Sequence, residues 1–199
     1  MKTVIALTLA LVLAAQAVDD WHKKVQSQRV RGSKYTIHEN YNPVTIENDL
    51  CIIHLDAEVR GEGIATLRLP SRSQAEMTFA GHKATIAGWG ETSDNDTIMN
   101  TVLRYTDVMT IMKNDDCRRY YELITATMLC ANSPDGSGVC MGDSGSPLTI
   151  TESDGVKTQV GISSFSPSVG CETLRPDGYV RLTEYLDWVE KWAEVDIRP

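Results

Sequence analysis

From residue 84 to residue 182 the chain is a succession of short apolar or alternating segments, each closed by turn chemistry. The segments are Ala84 to Gly90, Val102 to Thr110, Thr127 to Ala131, Pro147 to Thr151, Thr158 to Phe165 and Gly178 to Leu182. Their lengths and alternation suit strands. Between them stand Thr92-Ser93-Asp94-Asn95-Asp96, Ser133-Pro134-Asp135-Gly136, Ser153-Asp154-Gly155 and Arg175-Pro176-Asp177-Gly178. These residues supply positive φ, a fixed φ or a side chain that bonds its own backbone, so they turn the chain. Six strands at this spacing predict an antiparallel barrel, because closing the sheet removes its exposed edges.

Two helices interrupt the pattern. One, near Asn114 to Tyr121, carries Cys117. The last begins after Thr183, whose hydroxyl suits an N-cap. Tyr185, Leu186, Val189 and Trp192 recur there at helical spacing, with Glu184, Asp187, Glu190 and Lys191 facing water. Upstream, Asp49 to Leu55 is the strongest strand candidate, and Ile64 to Leu69, ending at Pro70, is a second. Residues 18–34 show no periodicity, and no internal repeat of 20 to 50 residues appears.

Apolar residues make up 42% of the 199 and charged residues 23%, which places the chain among globular proteins. A net charge of −8 argues against nucleic acid or an acidic membrane surface as partner. The basic run Lys23, Lys24, Arg29, Arg31 and Lys34 reads as a solvated segment. Residues 1–17 read as a secretory leader: Lys2, an apolar stretch from Val4 to Ala15, then Ala15-Gln16-Ala17 as cleavage site. That stretch is too short to span a bilayer. The expected mature protein is therefore secreted and starts at Val18.

Five cysteines suit an oxidising compartment. Cys117, Cys130, Cys140 and Cys171 allow three pairings by count alone. Cys51, in the apolar run from Leu50 to Leu55, reads as a buried free thiol. Asn95-Asp96-Thr97 is an acceptor sequon in an expected loop, so Asn95 is a candidate for glycosylation.

The residues Gly138 to Pro147 contain Gly142-Asp143-Ser144-Gly145. Around it, in order, stand Ser33-Lys34-Tyr35, Ile46-Glu47-Asn48-Asp49-Leu50, Arg68-Leu69-Pro70, Ala87-Gly88-Trp89-Gly90, Met128-Leu129-Cys130-Ala131 and Ser163-Ser164-Phe165. Together these resemble the trypsin/chymotrypsin family of serine endopeptidases from about Ser33 onward. A serine hydroxyl attacks peptides only when an imidazole takes its proton, a carboxylate orients that imidazole, and N–H groups receive the oxyanion. The resemblance implies Ser144 as nucleophile, Asp49 as carboxylate, and the Gly142 and Ser144 N–H groups as oxyanion donors. It implies Asp143 as the partner of an ammonium freed by activation cleavage. It pairs Cys117 with Cys130 and Cys140 with Cys171. No cofactor or metal ion is expected.

The same resemblance puts Gly138 on the floor of the specificity pocket and Asp177 on its wall, makes Ser163-Ser164-Phe165 the strand that binds substrate backbone beside it, and sets Ser166 where it narrows the entrance. Glycine on the floor with aspartate on the wall is similar to the broad-specificity, collagen-cleaving crustacean and insect members. Asp177 also reads as a simple Pro-Asp-Gly turn residue.

The family's histidine comes in Ala-Ala-His-Cys, well before the aspartate. His22, His38, His54 and His82 all lie in other contexts. An Ile-Val-Gly-Gly terminus is likewise missing from the sequence. Val18-Asp19-Asp20, or Val30-Arg31-Gly32 after cleavage at Arg29, would bring a poor match to Asp143. The expectation is an all-β, chymotrypsin-like double β-barrel with a C-terminal helix and an incomplete first barrel. Residues 18–34 form an irregular segment, 35–80 the remnant of the first barrel and 81–199 the second barrel with the helix. The chain is expected to be a monomeric, N-terminally truncated and inactive family member. The alternatives are a non-catalytic homologue that binds protein or peptide substrates or inhibitors, and an incomplete gene product.

Overall fold

A computed structural model describes residues 6–7, 30–61, 63–96 and 98–199. Most of the expected leader, His22 and the candidate terminus at Val18 lie outside these residues, whereas Val30-Arg31-Gly32 lies within them. Nine strands are described. The first three are β1 (Ala6–Leu7), β2 (Gly32–Ile37) and β3 (Cys51–Leu55). Then come β4 (Lys83–Gly88), β5 (Arg104–Met112), β6 (Met128–Asn132), β7 (Pro147–Thr151), β8 (Lys157–Phe165) and β9 (Asp177–Arg181). Strands β4 to β9 close a six-stranded antiparallel barrel in the order β4-β5-β6-β9-β8-β7. The first three form a separate open sheet, ordered β1-β3-β2. This is the chymotrypsin-like architecture, with one barrel closed and the other an open sheet.

The barrel closes because its strands carry the right faces. In β4 the inward positions Ala84, Ile86 and Gly88 are buried, and the outward ones are not. Ala84 and Ile86 join Met109, Ile111, Leu129, Leu148, Ile150, Val160 and Tyr179 in one core. Strand β9 lacks alternation, and all five of its residues are buried. One face fills the barrel through Tyr179. The other lies under a second core, where Val180 and Ile162 meet Leu50 and Ile52 of the open sheet and Tyr185, Trp188 and Val189. That second core fixes the open sheet against the barrel.

Helix α1 (Asn114–Cys117) is a single turn. The terminal helix α2 spans Leu186–Ala193. It is preceded by a 3-10 turn, Leu182–Tyr185, which shifts its start. Thr183 therefore does not cap it: Tyr185 holds the N-cap position, and the Thr183 hydroxyl is buried without a partner. The apolar stripe is also wider than the sequence implied. Trp188 is buried and donates its indole N–H to Glu39 at 2.8 Å, while Trp192 is only half-buried.

The stretch Ile64 to Leu69 is not a strand. Its one ladder contact is an isolated parallel bridge between Arg68 and Thr158. Pro70 removes the next donor. Leu69 turns into the second core, and Arg68 grips Asp154 at 2.6 Å. The segment acts as a strap over the β7–β8 hairpin. Conversely, Gly32–Ile37 is a strand that the sequence left without periodicity up to residue 34. It runs antiparallel to β3 with Tyr35 and Ile37 exposed. Its outward face is apolar, which hides the alternation. Cys51 is free as expected, but half-buried rather than buried.

Candidate active site

The loop Gly142-Asp143-Ser144-Gly145, the nucleophile loop that the resemblance implies, connects the segment 138–141 to β7. Gly142 and Gly145 take φ of 94° and 87°, where an L side chain is strained. Gly145 N–H donates to the Ser163 carbonyl at 2.8 Å, and Ser163 N–H to the Ser146 carbonyl at 2.9 Å. These bonds set the loop against β8. Ser144 projects from it, exposed. The Gly142 position is tight as well, since a Cβ there would stand 3.0 Å from the Met99 methyl.

Asp143 turns the other way, into the protein, and is 9% exposed. Its carboxylate accepts N–H groups from Gly90 at 2.8 Å and Cys140 at 3.1 Å. Burial raises its pKa, and the two N–H bonds oppose the rise. The sequence motif Ala87-Gly88-Trp89-Gly90 has a reason here: a Cβ on Gly88 or Gly90 would overlap the Asp143 carboxylate. Beside Asp143 lies a cavity of about 190 Å³, lined in part by Gly90, Glu91, Arg104, Cys140 and Glu172.

Asp49 ends the loop before β3 and is half-buried. It accepts a hydrogen bond from the Ser164 hydroxyl at 2.7 Å. The sequence places Ser164 only in the strand expected to bind substrate backbone, and does not foretell this tie. Among the described residues no histidine hydrogen-bonds Asp49 or the Ser144 hydroxyl. His38 accepts from the Asn40 N–H and packs against Tyr185 and Trp188, with centroids at 5.5 and 5.0 Å. His82 pairs with the Phe79 carbonyl at 3.0 Å and stacks edge-on against Phe79. His54 sits within β3, its Nε2 buried without a partner.

Gly138 and Asp177 face each other, and a Cβ on Gly138 would overlap the Asp177 carboxylate. Asp177 is buried at the start of β9 and accepts the Val139 N–H at 3.1 Å. It is thus more than a turn residue. Burial pushes its pKa up to about 7, and the nearby negative Asp143 adds to the rise. Phe165 lies against Gly178 and meets Tyr121 edge-on at 5.2 Å. Tyr121 donates to the Pro176 carbonyl at 2.5 Å, holding the wall. Ser166 is exposed. The disulfides are Cys117–Cys130 and Cys140–Cys171, the pairs that the resemblance implied. The second joins the nucleophile loop to the segment that follows Ser166.

Arg181 was not singled out from the sequence. It is 4% exposed and bonds the carbonyls of Thr78, Ala126 and Met128 and the Asn114 side chain. Its task is structural: it satisfies acceptors where the chain around α1 meets the barrel. A buried arginine at the end of an apolar strand is the signal that could have marked it.

The family model described as Trypsin matches residues 8–189. Brachyurin of Leptuca pugilator is 39% identical over 162 residues, which is 81% of this chain and 67% of that protein. Collagenase of Hypoderma lineatum is 30% identical over 188 residues, 94% of this chain and 67% of that one. The matched part is thus about two thirds of each relative's length. A solved structure titled HL collagenase superposes with a TM-score of 0.74 at 32% identity, covering 84% of this chain and 70% of the other. This chain belongs to the trypsin family of serine proteases.

Proposed function

We propose that this chain is a secreted trypsin-family domain that keeps a peptide-binding cleft and does not hydrolyse peptide bonds. One observation carries the reading. Ser144 is exposed, and no imidazole reaches it among the described residues, while Asp49 is engaged by Ser164. Without a base the hydroxyl keeps its proton at neutral pH. In serine proteases the loss of the histidine costs on the order of a million-fold in turnover. In this reading Ser144 and Asp49 are the remnants of the catalytic group, and the N–H groups of Gly142 and Ser144 the oxyanion donors. The cavity beside Asp143 is where a new N-terminal ammonium would dock. The termini at Val18 and Val30 suit it poorly, through two aspartates in one case and an arginine in the other.

The cleft reading rests on Gly138 and Asp177. The Asp177 carboxylate takes the place that a side chain at Gly138 would fill, so the pocket ends on a buried acid that accepts a cationic side chain, or a large apolar one when the acid is neutral. Ser164, Phe165 and Ser166 border the entrance. The partners are protein or peptide chains and their mimics, met by a monomer, with no cofactor and no metal. Secretion is supported by the leader-like first 17 residues and by two disulfides. The family match begins at residue 8, within that stretch, and Ala6–Leu7 pairs with β3, so protein sequencing of secreted material must define the mature start. In the domain plan the first-barrel part begins with β2 at Gly32 rather than at residue 35 and runs to residue 80, and 81–199 are the second barrel and helix.

Calorimetry with benzamidine, alongside turnover of basic and aromatic peptide anilides, tests the reading. Binding that Asp177→Asn weakens, with no turnover, is expected. Turnover that disappears in Ser144→Ala overturns it.

A further inference from the structure

Two loops far apart in sequence clasp each other beside the pocket. Asp94 lies in the turn after β4, and Glu172 follows Cys171. The Asp94 carboxylate accepts the N–H of Cys171 at 2.6 Å and the N–H of Glu172 at 3.3 Å. In return, the Glu172 carboxylate accepts the N–H of Asp94 at 2.9 Å. Each acid therefore caps the other loop's backbone. Gly170 makes the clasp possible: it takes a φ of 114°, and a Cβ there would overlap the Asp94 carboxylate.

The clasp is wired to the pocket. Cys171 is bonded to Cys140, whose N–H donates to Asp143 at 3.1 Å. Asp143 in turn holds Gly90, which leads back to the Asp94 loop. This closed ring passes through Cys140 and Asp143, directly after Gly138 and Val139 in the chain. We propose that Asp94 and Glu172 form a reciprocal latch that sets the wall and entrance of the Gly138–Asp177 pocket, with Asp94 as its positioning residue. The part concerning ligand binding rests on the pocket reading above. The part concerning the wall does not.

Two measurements on the intact chain test the latch. In hydrogen exchange, Asp94→Ala should speed exchange of the amides at 138–141 and 170–173 and leave β5 and β8 unchanged. In benzamidine titration, the same variant should bind about tenfold more weakly, within the range of couplings between linked sites. Asp94→Asn keeps one carbonyl oxygen for the Cys171 N–H, so it should recover to within about threefold of the parent. Gly170→Ala should behave like Asp94→Ala. Unchanged exchange at 138–141 and 170–173 in Asp94→Ala overturns the latch, whatever benzamidine does. Faster exchange at 170–173 with an unchanged benzamidine affinity overturns its role in positioning the pocket. Failure of the parent to bind benzamidine sinks the pocket reading instead, and exchange at 138–141 then decides the latch alone.

Discussion

The Ser164 hydroxyl donates to Asp49 at 2.7 Å, across 115 residues of chain. It ties the end of β8 to the residue before Leu50 and so pins the open sheet at the cleft. The bond is partly buried, and such a bond contributes about 1 kcal/mol. Ser164→Ala should lower the urea stability by about that much. A double-mutant cycle with Asp49→Ala should show coupling of similar size. Additive losses would mean that the two residues act independently.

If the cleft reading holds, Asp177 sets the pH dependence of cation binding. Its folded pKa is raised to about 7, mainly by burial. A bound amidinium favours the ionised carboxylate. Below pH 7 the free site must first lose a proton, so apparent affinity should fall up to tenfold per pH unit. Benzamidine binding should therefore strengthen from pH 5.5 to about 7.5 and then level off. Asp177→Asn should bind weakly with a flat profile. A profile that is flat in the parent chain would contradict this assignment.

Much of this arrangement was legible in the sequence, and the reasons differ by element. Strand β4 was readable because its faces alternate, and β5 to β8 because they are short, largely apolar or β-branched runs whose ends carry Asp, Gly and Pro. The bounds of β7 stand as expected, and those of the other four moved by at most two residues, as with Arg104–Met112 against the expected Val102 to Thr110. The strap at 64–69 was misread because a short apolar run before a proline looks the same whether it pairs or only packs. Thr183 misled because a 3-10 turn separates it from the helix. The Ser164–Asp49 tie and the Asp94–Glu172 latch left no signal, since each joins residues more than 75 positions apart through polar side chains that ordinarily face water.

His38 links acidity to the docking of the open sheet. It lies against Tyr185 and Trp188, and burial lowers its pKa, with Glu39 opposing. The folded state therefore prefers the neutral ring. Its contribution is complete above the unfolded pKa of about 6.5 and is lost as pH falls through the lower folded value. Stability should drop on acidification from pH 7 to 5, and His38→Gln should reduce that slope. An unchanged slope in the variant would assign the effect to other groups.

The disulfides should contribute unequally. Cys117–Cys130 closes 13 residues and Cys140–Cys171 closes 31. Chain entropy gives about 3 and about 3.7 kcal/mol respectively. Double serine variants should lose stability in that order, read from denaturant midpoints. Peptide mapping should find Cys51 unpaired, and a link from Cys51 to any of the four would overturn the framework.

The central claim is that no base serves Ser144. A fluorophosphonate probe reads this directly, because it reacts only with an activated serine. At neutral pH the secreted chain should remain unlabelled, with the same background as Ser144→Ala. Labelling of the parent chain that Ser144→Ala abolishes would contradict the account, and loss of that labelling in His22→Ala or His38→Ala would identify the base.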